Sequence, residues 1–198
     1  VNAHTLVKQW ALLESIADAP EKTALVELTN KDLPRLLDRI DWPLIHRSIE
    51  RGTRSVGHSD FTAFHLGLLA HTGAASWAGP MACDDFGRDD EHGGVDEVTR
   101  DCFLEAMSGD LEAVGFRTEA GFDGLLAKGV LWGGNLCMIN SMLGTPHFPR
   151  IKGGVLFLED VNEHPYRIER SLLQLHQAGV LGAQKAVLLG AFNAYKKS

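Results

Sequence analysis

The stretch Gly153–Leu175, GGVLFLEDVNEHPYRIERSLLQL, decides the fold class of this chain. Its apolar run Val155–Leu158 predicts a buried strand, and a helix is predicted to begin at Pro165 and to end before Gly179. The apolar side chains of that helix recur at helical spacing, at Ile168, Leu172 and Leu175. A second apolar run follows at Ala186–Leu189. Strand, helix and strand within about 35 residues predict a crossover unit in a parallel or mixed sheet.

Shorter elements are predicted upstream of this unit. Helical patterns cover residues 5–18, 33–40, 42–49 and 60–71, and short strands are predicted at residues 23–28 and 55–57. The predicted inner face of the helix over 60–71 consists of Phe61, Phe64, Leu68 and Leu69. All of these predicted elements lie before residue 83, where the sequence becomes acidic and Gly-rich.

The composition changes in the middle of the chain. The acidic, Gly-rich stretch 83–95 is typical of a surface loop. A helix is predicted from Thr99, and its inward side chains are Phe103, Leu104 and Met107. Turns are predicted at three Gly-containing sites, Gly133-Gly134, Gly144-Thr145-Pro146 and Gly153-Gly154.

The composition excludes several classes of protein. The 198 residues carry a formal net charge of −7, so no overall positive charge favours nucleic acid. No apolar run approaches the roughly 18–20 residues of a membrane helix, and the N-terminus lacks the order of a signal peptide. Three cysteines without C-x-x-C spacing argue against a disulfide framework and a structural zinc site. They favour a reducing, cytoplasmic location.

The first candidate for chemistry is Gly57-His58-Ser59-Asp60, between a predicted strand and an amphipathic helix. A nucleophile elbow needs this context, because the sharp turn lifts the serine hydroxyl out of the sheet. The helix that follows directs free backbone N–H groups at the same place. Phe61 stands where the usual elbow has a second glycine. The alternative is a turn in which Ser59 or Asp60 only caps the helix.

A second candidate lies where a predicted strand meets a predicted helix, at Glu159, Asp160, Glu163 and His164. Ligand and catalytic groups favour that end of the strands in α/β sheets, and Glu159 suits a carboxylate that orients a histidine. The alternative is that Asp160, Asn162 and Glu163 only cap the helix and interact with its dipole.

A third candidate is Trp132-Gly133-Gly134-Asn135, which could line a pocket or form a plain bulge or turn. It is neither a P-loop nor a dinucleotide fingerprint. The nine histidines include no H-E-x-x-H motif, and His92 lies in the acidic loop, where a solvated charge run is favoured over a weak metal site. We therefore expect no metal and no cofactor.

The order of the motifs resembles that of the LD-carboxypeptidase family of serine peptidases. GHSDFTA is followed by WAGPMA, LWGGNL, MLGTPHFP, the deciding stretch and LLGAF, from about residue 36 to residue 192. The family includes murein tetrapeptide carboxypeptidases and microcin C self-immunity peptidases. The resemblance implies an α/β protein with a flavodoxin-like N-terminal domain and a smaller swivelling-type domain, both incomplete here. The implied boundaries are 1–82 for the nucleophile domain, 83–128 for an acidic linker and helix, and 129–198 for the C-terminal domain.

The resemblance also implies roles for individual residues. Ser59 matches the nucleophile, Glu159 matches the glutamate of a Ser-His-Glu triad, and the backbone N–H of Asp60 matches one oxyanion donor. Trp132, Gly133 and Asn135 are expected as substrate-binding residues at the wall of the same cleft.

Two departures from the family pattern affect the expected activity. Residues 29–34, TNKDLP, replace a glycine-rich stretch that helps to build the oxyanion hole in the family. None of the nine histidines matches the family's catalytic histidine, which lies further along the sequence. We therefore expect the chain as given to be inactive.

For a complete enzyme, the resemblance implies hydrolysis of the amide between the L-centre of a diamino acid and a terminal D-alanine. The substrate would be a murein tetrapeptide in cytoplasmic cell-wall recycling. One alternative is an amide in a peptide–nucleotide antibiotic, with Trp132 or Trp77 as the stacking partner; another is a catalytically inactive binding member or fragment. The expected partner is a small peptide, with no nucleic acid and no membrane. A homodimer is an option, since sheet edges near residues 23–28 and 186–190 lack their usual neighbours.

Overall fold

The structure is a computed structural model that describes residues 36–82, 85–115 and 124–194. The helix predicted over 5–18, the strand over 23–28 and the TNKDLP stretch lie outside the described residues. The chain divides into two compact units. One unit contains residues 36–78 and 128–194, and the other contains residues 79–127.

The described elements alternate between helices and short strands. In chain order they are α1 (Trp42–Glu50), β1 (Val56–Gly57), α2 (Thr62–Thr72), β2 (Trp77–Ala78), α3 (Glu97–Ser108), β3 (Leu131–Asn135), α4 (Leu136–Met142), β4 (Val155–Val161), α5 (Pro165–Gln177) and β5 (Ala186–Asn193). Short 3₁₀ turns occur at Ser59–Phe61, Asp90–His92 and Leu181–Ala183. None of the helices in the described ranges is long and apolar enough to cross a bilayer.

All described strand pairs of the first unit are parallel. β1 pairs with β2, and β3, β4 and β5 form a second sheet in that order. The helix α5 connects β4 to β5, with Pro165 in its first turn and Gly179 at φ 74° just after its end. The predicted α/β class and the predicted crossover unit are therefore confirmed.

The core of the first unit lies where α2, α4 and α5 pack with the three-stranded sheet. β4 alternates between buried and partly buried positions, so that Leu156, Leu158 and Asp160 face inward on one side. Val155, Phe157 and Glu159 occupy the other side of the strand. The fully buried side chains are mainly aliphatic, and they include Phe64, Leu66, Leu68, Leu136, Ile139, Met142, Leu156, Leu158 and Leu175.

The glycine pair of the third motif is not a turn, as the sequence predicted, but part of β3. Gly133 and Gly134 have φ values of 134° and 133°, which L side chains rarely adopt. A Cβ atom on Gly133 would lie 2.0 Å from the carbonyl oxygen of Phe157, and one on Gly134 would lie 2.5 Å from Thr62 Oγ1. The glycines are therefore required by close packing of β4 and α2 against β3.

Two other predictions need correction, and one helix was not predicted. The unpredicted helix is α4, in which Asn135 caps Leu136–Met142. β4 continues to Val161, so Glu159 lies within the strand rather than where it stops. In the second unit, Leu104 is 56% exposed and does not face inward; Phe103 does contact Phe86 edge-on, with 5.0 Å between ring centroids.

Candidate active site

Ser59 lies in the strand-to-helix turn that a nucleophile elbow requires. It follows β1 and His58, begins a 3₁₀ turn and immediately precedes α2. Its φ of 57° is left-handed, a strained value for a residue with a side chain. The Ser59 side chain is partly exposed, whereas Asp60 and Phe61 beside it are buried. The strained turn thus leaves Ser59 partly exposed while its buried neighbours anchor the backbone.

The strand that leads into the elbow is held by His65, which the sequence analysis did not single out. His65 Nε2 donates to the Gly57 carbonyl at 2.9 Å, because a carbonyl can only accept. Nδ1 must then accept from the Ser76 hydroxyl at 2.7 Å. Burial lowers the pKa of His65 to about 4, so the ring is neutral at pH 7. The sequence signal that could have identified His65 is a histidine in a predicted helix, within reach of the end of the preceding predicted strand.

Asp60 occupies the position of the predicted oxyanion donor. Its side chain is 4% exposed, and burial raises the pKa of its carboxyl group. The residue stands at the start of the helical segment, where backbone N–H groups have no partner in a preceding turn. The geometry is therefore compatible with an anion-stabilising backbone N–H at this residue.

Glu159 lies at the same edge of the molecule as the elbow. It pairs with Asn135 in the register of β4 on β3, and the backbone N–H of Asn135 donates to Thr62 Oγ1 in the first turn of α2 at 3.1 Å. Phe157, on the same face of β4 as Glu159, lines a cavity of about 200 Å³ together with His65 from α2. The structure therefore brings the Ser59 turn and Glu159 to one edge.

The carboxyl group of Glu159 is half-buried, and its pKa is raised. Burial is the main cause, and the negative charge of Asp160 adds to it. A hydrogen bond from the Asn135 side chain and the electrostatic interaction with His58 lower the pKa of Glu159 in the opposite direction. The imidazole of His58, next to Ser59, is thus within electrostatic reach of Glu159.

Trp132 and Gly133 line the same cavity of about 200 Å³ as His65 and Phe157, but they precede Asn135 along β3. Trp132 is 3% exposed, donates from Nε1 to Gln184 Oε1 at 3.1 Å and meets Phe148 edge-on. It precedes Asn135 by three residues, which is about 10 Å along a strand. Gly133 is covered by the Phe157 carbonyl. Of the three predicted wall residues, Asn135 is the one that pairs with Glu159.

Two further histidines of the described ranges form a hydrogen-bonded pair. His71 and His147 bond to each other at 2.8 Å, and His147 also bonds to Asp38 at 2.8 Å. Within the described ranges, no three His, Cys, Asp or Glu side chains are grouped to hold a metal ion.

Comparison with known proteins decides the family. Residues 128–198 match the LD-carboxypeptidase C-terminal domain. The chain is also 36% identical over 137 residues to the probable murein peptide carboxypeptidase of Bacillus subtilis. The matched region covers 69% of this chain and 42% of that protein. The chain belongs to the LD-carboxypeptidase family. It spans less than half the length of this curated relative.

Solved structures agree with this assignment. The muramoyltetrapeptide carboxypeptidase of Oxalobacter formigenes is 39% identical, with a TM-score of 0.77 over 95% of this chain and 62% of that one. The microcin C7 self immunity protein MccF, in complex with aspartyl sulfamoyl adenosine, has a TM-score of 0.66 over 83% of this chain and 56% of its own. At 21% identity, this second likeness shows a shared fold alone.

Proposed function

We propose that the protein containing this LD-carboxypeptidase-family chain is a serine-type carboxypeptidase that releases D-alanine from murein tetrapeptides. The observation that carries the proposal is the strained left-handed turn at Ser59, which leads into Thr62; Thr62 is hydrogen-bonded to β3, the strand that pairs with the Glu159 strand. Strain of this kind clusters at functional sites, because surrounding packing must maintain it. The names of the Bacillus and Oxalobacter relatives support the substrate class.

In the proposed reaction, Ser59 Oγ attacks the carbonyl carbon of the scissile amide, and its proton passes to a histidine base. The carbonyl electrons move to the oxygen, which the Asp60 N–H stabilises. Collapse of this intermediate breaks the C–N bond, and the histidine gives its proton to the departing D-alanine amine. Water then hydrolyses the acyl-enzyme by the same route. Glu159 orients the histidine, which the family resemblance assigns to a position that none of the chain's histidines matches.

The environment of Glu159 suits that role. Asn135 and His58 both favour its charged form, and they oppose the effect of burial. A carboxylate that accepts from an imidazole N–H fixes the tautomer of the ring and stabilises its protonated form.

The alternative peptide–nucleotide substrate receives less support. A nucleobase needs an accessible aromatic ring, and Trp132 is buried with its indole N–H bonded to Gln184. Trp77 is partly buried, and the Arg54 guanidinium lies 5.6 Å from its ring centroid. A murein peptide requires no such stacking partner.

The test is release of D-alanine from a murein tetrapeptide by the full-length protein. Ser59→Ala should reduce kcat by a factor of about 10⁴ or more, since removal of a triad member has that order of effect. The 198-residue chain alone should release only a trace, because none of its nine histidines matches the catalytic histidine of the family. Release by Ser59→Ala at the wild-type rate would refute the role of Ser59.

A further inference from the structure

Asp160 is a buried carboxylate that the proposed mechanism does not use. It is 5% exposed and faces inward from β4 beside Leu158. Oδ1 accepts from the Asn135 side chain at 3.1 Å and from the Val161 backbone at 2.9 Å, while Oδ2 accepts from the Cys137 backbone at 3.1 Å. Asp160 is the acceptor in each of these hydrogen bonds, and both of its carboxylate oxygens take part.

These bonds connect three elements at the edge where Ser59 and Glu159 lie. Asp160 follows Glu159 directly on β4, Asn135 ends β3, and Cys137 is in the first turn of α4. Both polar atoms of the Asn135 side chain are hydrogen-bonded, since Nδ2 donates to Asp160 and Oδ1 accepts from the Met138 backbone at 3.1 Å. The carboxylate therefore fixes the ends of β3 and β4 against each other.

The same chain of bonds reaches the elbow through Thr62. The backbone N–H of Asn135 donates to Thr62 Oγ1 at 3.1 Å, and Thr62 is 1% exposed in the first turn of α2, three residues after Ser59. Gly134 has no side chain, and this lets Thr62 approach β3 closely. The route from the elbow to the Glu159 strand therefore runs through Thr62, Asn135 and Asp160.

We propose that Thr62, Asn135 and Asp160 form a hydrogen-bonded brace that fixes the Ser59 elbow relative to Glu159, with Asp160 as its central positioning residue. The proposal rests on the proposed function, because the distance that the brace sets matters only if Ser59 and Glu159 act together. A buried carboxylate suits the centre of the brace, since it offers acceptors to several N–H groups at once. An apolar residue there would leave those donors buried and unpaired.

The central variant is Asp160→Asn in the full-length protein. An amide has one oxygen and one NH₂ group, so in either orientation it points a donor at an N–H group that the carboxylate accepts from. We expect kcat for D-alanine release to fall by about 10–100-fold with KM changed by less than about threefold, because small misplacements of catalytic groups act on kcat. Asp41→Asn is the matched control, since Asp41 is an exposed helix cap and asparagine caps equally well.

An Asp160→Asn variant with kcat within twofold of wild type overturns the proposal.

Two further measurements keep the proposal falsifiable. If Asp160→Asn fails to fold, the variant Thr62→Val takes its place. It removes the acceptor for the Asn135 N–H while keeping the shape of the side chain, and it should lower kcat similarly. A kcat within twofold of wild type overturns the brace.

Hydrogen exchange of residues 57–62, read by mass spectrometry, needs no activity. Faster exchange there in Asp160→Asn supports the brace even if wild type releases no D-alanine, a result that would refute only the proposed function. Unchanged exchange overturns the brace.

Discussion

At the scale of single residues, Ser59 is maintained in a backbone conformation that costs free energy. A left-handed φ of 57° is unfavourable by about 1–2 kcal/mol for a residue with a Cβ atom. The residues around it offset that cost, because Phe61 is buried and His65 holds the Gly57 carbonyl. A turn that only capped a helix would not need such a conformation at the serine.

This strain predicts an unusual order of stability at position 59. Ser59→Gly should be about 0.5–1 kcal/mol more stable than Ser59→Ala, because glycine adopts a left-handed φ without steric cost. The control pair is wild type and Ala70→Gly in α2, where glycine should instead cost about 1 kcal/mol. Urea unfolding of the variants measures both differences. A Ser59→Gly protein that is less stable than Ser59→Ala would contradict the strained turn.

His65 predicts a pH dependence of stability. Its pKa is about 4 in the folded protein, below the ordinary value of 6.5, so the unfolded chain binds a proton more readily. The stabilisation from neutral His65 is present above pH 6.5 and is lost as the pH falls toward 4. Between pH 7 and pH 5 it should lower the free energy of unfolding by about 2 kcal/mol.

The matched comparison for this prediction is His65→Gln, which keeps a donor and an acceptor but does not titrate. Burial raises the pKa values of Asp60, Glu159 and Asp160, and these groups favour folding as the pH falls. The quantity of interest is therefore the difference in pH dependence between wild type and variant, measured by urea unfolding at both pH values. Equal slopes for the two proteins would show that His65 does not titrate as described.

At the scale of elements, β3 is closely approached by two neighbours, β4 and α2, and this leaves no space for side chains at Gly133 and Gly134. Gly133→Ala would place a Cβ atom 2.0 Å from the Phe157 carbonyl oxygen, at a φ of 134°. We expect a loss of about 3 kcal/mol or more in the free energy of unfolding, from overpacking and backbone strain together. Gly144→Ala is the control, since its φ of 79° is strained but nothing lies within 4 Å of the added atom. Its expected cost is about 1 kcal/mol.

Thermal or urea unfolding of these two glycine variants separates packing from backbone strain. If Gly133→Ala costs no more than Gly144→Ala, the close approach of β4 to β3 is wrong.

The elements that the sequence predicts well are those with a local signal. α5 has an apolar stripe, a proline at its start and a glycine beyond its end, and α2 ends at Gly73 in a left-handed cap. The Gly133-Gly134 pair was predicted as a turn because glycines usually mark turns, but here distant atoms of Phe157 and Thr62 demand them. No local pattern contains that information.

The candidate site shows the same division. The motifs and the family resemblance predict roles for Ser59 and Glu159, and those roles stay predictions. Trp132 carried an aromatic ring in the right motif, but the direction of its side chain into the core depends on Gln184, which lies 52 residues further along the chain. For Asp160 the sequence left two roles open, a site carboxylate and a cap for the following helix, whereas in the structure it accepts from residues of β3 and α4.

At the scale of the whole molecule, the chain is part of a larger enzyme family. It spans 42% of the Bacillus relative and 62% of the Oxalobacter structure. The part described here contains the elbow, the Glu159 strand and the hydrogen bonds that join them.

The most direct test of the central claim, that Ser59 is the nucleophile, is to trap the acyl-enzyme. The full-length protein is mixed with a murein tetrapeptide, quenched in acid within milliseconds to seconds, and digested for mass spectrometry. We predict that the peptide containing Ser59 gains the mass of the substrate acyl group without D-alanine, and that Ser59→Ala gains nothing. An adduct on a different residue, or D-alanine release that persists in Ser59→Ala, would contradict the account.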